Sequence, residues 1–119
     1  MSSVPPVNGE RAPLADVALI AGAGMNRDGG GADGIDILDW QNATVKRTIV
    51  TNFSGDGIYV DGLASTGMNY ISMVEMDQAF MFWNNGAGLQ VGSSNGTPNI
   101  ETVAYNNGMV EENGGPGIK

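Results

Sequence analysis

Apolar and polar positions alternate along much of the chain in short runs that glycine, asparagine and serine separate. The runs TVKRTIVTN, NYISMVEMD and NIETVAYNN are rich in β-branched and aromatic residues, which favour strands. Glycine and proline together account for 24 of 119 positions, 19 Gly and 5 Pro, and this density of turn-forming residues argues against a helical bundle. The pattern therefore predicts an all-β fold of short strands joined by tight corners.

An internal repeat accompanies this alternation, because a glycine precedes an apolar strand four times. The segments are DGIDIL, DGIYVD, AGLQVG and PGIK, with the glycines at positions 34, 57, 88 and 117. The offset that separates Gly88 from Gly117 also aligns a series of similar positions: Ile71 with Ile100, Val74 with Val103, Met76 with Tyr105, Phe80 with Met109, Met81 with Val110 and Asn84 with Asn113. Repeats of this length bury their apolar faces only against neighbouring repeats, which predicts a parallel β-solenoid.

Stacking of the repeats predicts which side chains share a column. Strand period two gives two inward columns, Ile35, Ile58, Leu89, Ile118 and then Ile37, Val60, Val91. The outward column contains Asp36, Tyr59, Gln90 and Lys119. Asn84 and Asn113 share a corner position, where they form either an amide ladder or two separate turns.

The unit GIDILDWQNATVKRTIVTNFSGDGIYVDG resembles one coil of the pectate-lyase-like superfamily, which includes polysaccharide lyases, polygalacturonases, alginate epimerases and bacteriophage tailspike depolymerases. The resemblance covers residues 17–119 and implies a right-handed parallel β-helix. The family usually has more coils and often a helix that caps the first one, whereas this sequence shows about three to four coils without an evident capping helix. We expect this module to be part of a longer solenoid or to be completed by a partner chain. Residues 1–16 carry the proline-rich segment VPPVNG and are expected to form an extended arm or linker.

Composition excludes several kinds of function. The chain has 13 acidic and 5 basic residues, and a net charge of −8 disfavours nucleic acid as a partner. It has no cysteine and no histidine, which excludes disulfides, thiol nucleophiles, Cys/His zinc sites and Ser-His-Asp triads. No apolar run reaches the roughly 20 residues of a membrane helix, and the start of the chain lacks the pattern of a signal peptide.

The resemblance implies a module of the tailspike type that binds or processes polysaccharide. If the module is an enzyme, the implied activity is that of a glycoside hydrolase or a polysaccharide lyase. The alternative is a noncatalytic structural component of a virion or fibre, in which the solenoid is a rigid oligomerising element. The resemblance also favours an extracellular or virion location and a homo-oligomer, with a trimer as the expected form.

Candidate catalytic residues follow from the chemistry of these activities. Hydrolysis needs paired carboxylates on an outer face, and Asp36, Asp39 and Asp61 lie on or just after adjacent post-glycine strands. The alternative is that these aspartates only form solenoid turns. The lyase type, as the resemblance implies it, uses a calcium-bridged acidic substrate and a basic side chain. Lys46 and Arg47 are the basic residues of the first coil, and we expect them to be solvated or ion-paired.

Candidate binding residues are aromatic and amide side chains, which suit the apolar and hydroxyl sides of a sugar ring. They are Trp40, Tyr59, Gln90 and Trp83. The segment 80–82, with sequence FMF, cannot point wholly inward, so part of it is expected on the surface or in a subunit interface. No metal or cofactor is expected. The glycine-rich segment 26–34 leaves calcium as an open alternative, although Ile37 occupies the position where an EF-hand loop has glutamate.

Overall fold

A computed structural model describes residues 11–20, 31–38, 42–61, 70–92 and 99–119. Every regular element within these ranges is a β-strand, and none of the described segments is a helix that could span a membrane. The strands are β1 Arg11–Ile20, β2 Ile35–Leu38, β3 Asn42–Thr51, β4 Ile58–Asp61, β5 Tyr70–Phe82, β6 Leu89–Val91, β7 Asn99–Asn106 and β8 Met109–Glu111. All of their pairings are parallel, which confirms the prediction of an all-β chain with parallel strands.

The strands form two sheets between which the chain alternates. The first sheet has the order β1-β3-β5-β7, and β8 also pairs with β5. The second sheet has the order β2-β4-β6 and is extended by a bridge between Leu89 and Ile118. Strand β1 begins at Arg11, within the segment 1–16 that the sequence assigned to an arm. Because β1 lies at the edge of the described sheet, Pro13 is tolerated there.

The register agrees with the repeat found in the sequence. Ile35 pairs with Ile58 and Ile58 with Leu89, and all three side chains are buried as predicted. The offset from Gly88 to Gly117 recurs in the pairing of β5 with β7 and β8, where Ile71 lies opposite Ile100. Ile118 continues the inward column but is 56% exposed, because no described strand lies beyond it.

The connections from the first sheet to the second and those in the return direction differ in how much their lengths vary. From the first sheet to the second, the step has the same length in the three repeats that follow β2, from Asn42 to Ile58, from Met73 to Leu89 and from Thr102 to Ile118. The step from β1 to β2, from Arg11 to Ile35, is longer. In the other direction the step is shortest from Ile35 to Asn42, longest from Ile58 to Met73 and intermediate from Leu89 to Thr102. All variation in repeat length beyond Ile35 therefore falls in the connections that follow β2, β4 and β6.

Bends in the long strands come from residues in the left-handed conformation. One stacked column contains Asp16, Arg47, Gln78 and Asn107, all with φ between 46° and 59°. Val45 and Thr48 are both buried although an odd number of positions separates them, so Arg47 resets the inward–outward alternation. The continuous strand that the sequence predicted is therefore bent, and both sides of the bend face the core.

The core lies between the two sheets, and a buried amide lies within it. Asn84 accepts a hydrogen bond from the backbone nitrogen of Phe53 at 3.1 Å and donates to the carbonyl of Val50 at 3.2 Å. Its amide also donates to Oδ1 of Asn113 at 3.1 Å, which confirms the asparagine ladder. The nearby Gly57 is required by close approach, since a Cβ there would lie 2.6 Å from the carbonyl oxygen of Gly88.

Candidate functional site

The outer face of the second sheet presents three of the candidate residues side by side. Asp36 pairs with Tyr59, and Tyr59 pairs with Gln90, so one residue of each strand occupies the same register position. Each side chain is partly buried, whereas the residues before them in the strands are buried in the core. We call Asp36, Tyr59 and Gln90 the outer row. The amide of Gln90 donates to the carbonyl of Gly92 at 3.1 Å, which holds it along its own strand.

Asp61 lies two residues after Tyr59, on the same side of β4. The Tyr59 hydroxyl donates a hydrogen bond to Oδ2 of Asp61 at 2.5 Å. The sequence placed Asp61 in the open, as an outward carboxylate, but the residue is only 2% exposed. Strand alternation predicted the correct side of the sheet for Asp61. The burial of its carboxylate could not be derived from this alternation.

A second carboxylate approaches the outer row. Burial raises the pKa of Asp33, and the nearby negative charge of Asp36 raises it further, while a hydrogen bond from the Asp56 backbone opposes the rise. Oδ1 of Asp36 is buried and has no hydrogen-bond partner among the described residues. Asp33 therefore lies close enough to Asp36 for the two side chains to interact electrostatically.

Asp33 and Asp56 form a corner column that sequence reasoning missed. Oδ1 of Asp33 accepts from the backbone nitrogen of Asp56 at 2.6 Å, and Oδ1 of Asp56 accepts from that of Ala87 at 2.6 Å. Burial also raises the pKa of Asp56, against the effect of its bond from Ala87. The signal that could have found this column is the aspartate that directly precedes the repeat glycine at positions 34 and 57.

Trp83 lies away from the outer row, at the corner that precedes β6. It shares a second column of left-handed residues with Asn52 and Glu112, and the three have φ values of 67°, 56° and 51° in chain order. The indole nitrogen donates to the Glu112 carboxylate, and the ring of Phe82 meets the indole edge-on at a centroid distance of 5.4 Å. We call Asn52, Trp83 and Glu112 the Trp83 corner.

The basic candidates do not reach the outer row. Both Nε and Nη2 of Arg47 bind the Asp16 carboxylate, the latter at 3.0 Å from Oδ2, in an exposed ion pair at the bend. This agrees with the expectation that Arg47 is solvated or ion-paired. Lys46 is partly exposed on the preceding position. Asp39, Trp40 and most of the segment 26–34 lie outside the described residues. Within the described ranges, no group of three acidic side chains is arranged to hold a metal ion.

An exposed apolar surface crosses the first sheet beyond its bend. Ile49 pairs with Phe80 and Phe80 with Met109, and we call these three residues the apolar strip. Ile49 is 38% and Met109 is 49% exposed. Met81 is fully buried while its neighbours in the segment 80–82 are partly exposed, which agrees with the expectation that this segment cannot point wholly inward.

Comparison with known proteins adds no assignment. The chain matches no protein-family model, no curated protein and no solved structure.

Proposed function

We propose that the chain forms a right-handed parallel β-helix that binds polysaccharide through the outer face of β2, β4 and β6. The alternation of the chain between two parallel sheets supports the solenoid. Crossovers between parallel strands are almost always right-handed, which supports the hand. The resemblance of the repeat to pectate-lyase-like coils supports the substrate class.

The outer row is the observation that carries the proposal. It aligns a carboxylate, a phenol and an amide on strands about 4.8 Å apart. Carboxylates and amides bind sugar hydroxyls, and the tyrosine ring provides an apolar surface for a sugar face. The connections of variable length begin where these same strands end, and loops that vary on a fixed scaffold commonly carry specificity.

Binding is better supported than cleavage. Asp36 and Asp61 lie on adjacent strands two positions apart, which corresponds to about 8 Å between their Cα atoms. A Cα separation of this size is compatible with the roughly 6.5–9.5 Å between carboxyl groups that an inverting hydrolase needs. However, Asp61 is buried and accepts a hydrogen bond from Tyr59, so little room remains for the water that a general base activates.

Affinity electrophoresis and calorimetry with neutral, amino-bearing and acidic polysaccharides test the proposal. We expect Gln90→Asn to weaken binding about fivefold, because it shortens the amide and removes one hydrogen bond worth roughly 1 kcal/mol. Gln78→Asn is the matched control, since Gln78 lies at the bend of the other sheet in a conformation that asparagine tolerates. Equal affinity of both variants and the parent for every bound polysaccharide would remove the outer row as the site.

The second candidate function is that of an oligomerising structural element, which the apolar strip favours. Exposed contiguous apolar surface is typical of protein interfaces, and a homotrimer is the form that the resemblance suggests. Sedimentation equilibrium on the parent and on Ile49→Lys tests it, with Thr102→Lys as an exposed control on β7. A parent that is monomeric at all concentrations, or an oligomer that Ile49→Lys leaves intact, contradicts this function.

A further inference from the structure

The Trp83 corner places a large aromatic residue in a conformation that bulky residues rarely adopt. Trp83 has a φ of 56°, whereas the preceding member of its column is Asn52, the type of residue that tolerates this region best. Left-handed tryptophan is strained, and such strain is concentrated at functional positions. Folding of the corner does not require the indole, since an asparagine forms the equivalent turn one repeat earlier.

The indole is held in one orientation while much of it stays accessible. Phe82 meets it at an interplanar angle of 83°, and Glu112 accepts a hydrogen bond from its nitrogen. The residue is nevertheless 47% exposed. An exposed ring that neighbours have already fixed loses little conformational entropy when a ligand stacks on it.

The neighbours of the indole define the ligand chemistry. Asn52 and Glu112 lie one strand away on either side, about 4.8 Å along the stack, and supply an amide and a carboxylate for hydroxyl groups. Glu111 and Glu112 are both exposed, and the whole chain carries a charge of −8. This field repels an anionic sugar and attracts a cationic one, which the face of the indole also binds.

We infer that the Trp83 corner is a binding subsite for a pyranose unit that carries no carboxylate, either a neutral hexose or an amino sugar. The inference rests on the proposed polysaccharide binding and narrows its substrate class, since it excludes the uronates. The sugar stacks its C–H face on the indole, and its hydroxyls bond to Asn52 and Glu112. A second copy of the chain, seated on Trp83 and the apolar strip, is the competing occupant.

The fluorescence of Trp83 provides a direct test on the full chain. The chain has two tryptophans, so Trp40→Phe leaves Trp83 as the only indole. We expect neutral glucan oligosaccharides and chitosan oligomers to shift the emission of this variant in a saturable manner. Oligogalacturonate is expected to cause no shift at equal concentration and ionic strength. A saturable shift with oligogalacturonate alone overturns the inference.

Substitutions then separate the Trp83 subsite from the outer row. Trp83→Asn removes the ring, and asparagine fits the left-handed conformation, so we expect the fold to be retained. We expect the neutral or amino-bearing oligosaccharide to bind up to about tenfold more weakly to this variant. Gln78→Asn is the matched control in the other left-handed column. Glu111→Gln combined with Glu112→Gln keeps an acceptor for the indole nitrogen and is expected to increase affinity for oligogalacturonate.

The outcomes distinguish the subsite from the proposed function. If Gln90→Asn weakens polysaccharide binding and Trp83→Asn does not, the outer row remains and the Trp83 subsite is refuted. If no oligosaccharide of any class binds and Trp83→Asn converts an oligomer to a monomer, both proposals fail and the corner is a subunit contact. Circular dichroism of each variant checks that the strands are intact.

Discussion

Asn84 donates a side-chain hydrogen bond to Asn113 in the following repeat, and both amides also bind backbone groups of the strands beside them. Asn84 is fully buried, so its removal leaves the nitrogen of Phe53 and the carbonyl of Val50 without these partners. We expect Asn84→Ala to lower the free energy of unfolding by about 3 kcal/mol, from several lost bonds at roughly 1 kcal/mol or more each. Urea denaturation measures this effect.

The adjacent Asn85 is a suitable control because its side chain is exposed. Asn85→Ala is expected to change stability by less than about 0.5 kcal/mol. Equal effects of the two substitutions would mean that the ladder contributes nothing beyond a turn preference.

The inward column makes a second prediction, about Ile58 and Ile118. Ile58→Asp places an unpaired charge in a fully buried position and is expected to abolish the cooperative thermal transition. Ile118→Asp introduces the same charge in the same column where the residue is 56% exposed, and we expect it to shift the transition by only a few degrees. Retention of the parent transition in Ile58→Asp would contradict the register.

These two predictions depend on features that the sequence revealed. Glycines at 34, 57 and 88, and the common offset that relates Gly88 to Gly117, gave the strands, their parallel pairing and the buried column. They did so because the same alternation of apolar and polar residues follows each of these glycines, so equivalent positions stack on one another. The outer row followed from the same alternation.

Other features depend on contacts that no local pattern encodes. The bend at Arg47 interrupts a run whose sequence is typical of one continuous strand. The residue type at this position does not indicate that its backbone is left-handed. A solvated or ion-paired Arg47 was expected, but its partner Asp16 was not, because Asp16 had been assigned to the arm. The burial of Asp61 depends on its neighbours in the folded chain, which period two does not specify.

The corner column of Asp33 and Asp56 predicts an unusual dependence of stability on pH. Burial raises the pKa of both carboxyl groups, so the folded chain binds protons more tightly than the unfolded chain. Their contribution to the free energy of unfolding therefore increases as the pH falls through the folded pKa values, and it levels off below the unfolded value of about 3.9. We expect Asp33→Asn and Asp56→Asn to stabilise the chain at pH 7, with a benefit that shrinks as the pH is lowered.

Asp16 provides a control of opposite sign for this pH series. The hydrogen bond from Arg47 lowers the pKa of Asp16, so its contribution is present at neutral pH and is lost as the pH falls through the folded value. We therefore expect Asp16→Asn to destabilise the chain slightly at pH 7 and to have no effect on stability in acid. The stability of all three variants is measured by thermal denaturation from about pH 3 to about pH 7. This range spans the ordinary pKa values of carboxyl groups. A benefit of Asp33→Asn that grows on acidification would contradict the prediction.

Repeat geometry predicts where the chain tolerates insertions. Inserting Gly-Ser in the segment 62–69 lengthens a connection that already varies from one repeat to the next, and we expect a cost below about 1 kcal/mol. Inserting one residue between Gly55 and Asp56 lengthens the step from the first sheet to the second, which is constant in the repeats after β2, and moves Gly57 out of line with Gly88. That variant is expected to lose its cooperative transition in urea. Tolerance of both insertions would show that the corners are not constrained by stacking.

The hydrogen bond from Tyr59 to Asp61 predicts an energetic coupling on the proposed binding face. Tyr59→Phe keeps the ring and removes the donor from a carboxylate that is only 2% exposed. A hydrogen bond to a charged group contributes about 1.5–3 kcal/mol, so we expect Tyr59→Phe to destabilise the chain by that order. In a double-mutant cycle with Asp61→Asn, the loss should be less than additive by about 1 kcal/mol or more, because the charged acceptor is already absent.

The same variants assayed for release of reducing ends from polysaccharide separate the two roles of the face. A chain that binds without cleaving leaves Asp61 as a positioning residue for Tyr59, whereas cleavage that Asp61→Asn abolishes, with binding retained, shows that the buried carboxylate acts in catalysis.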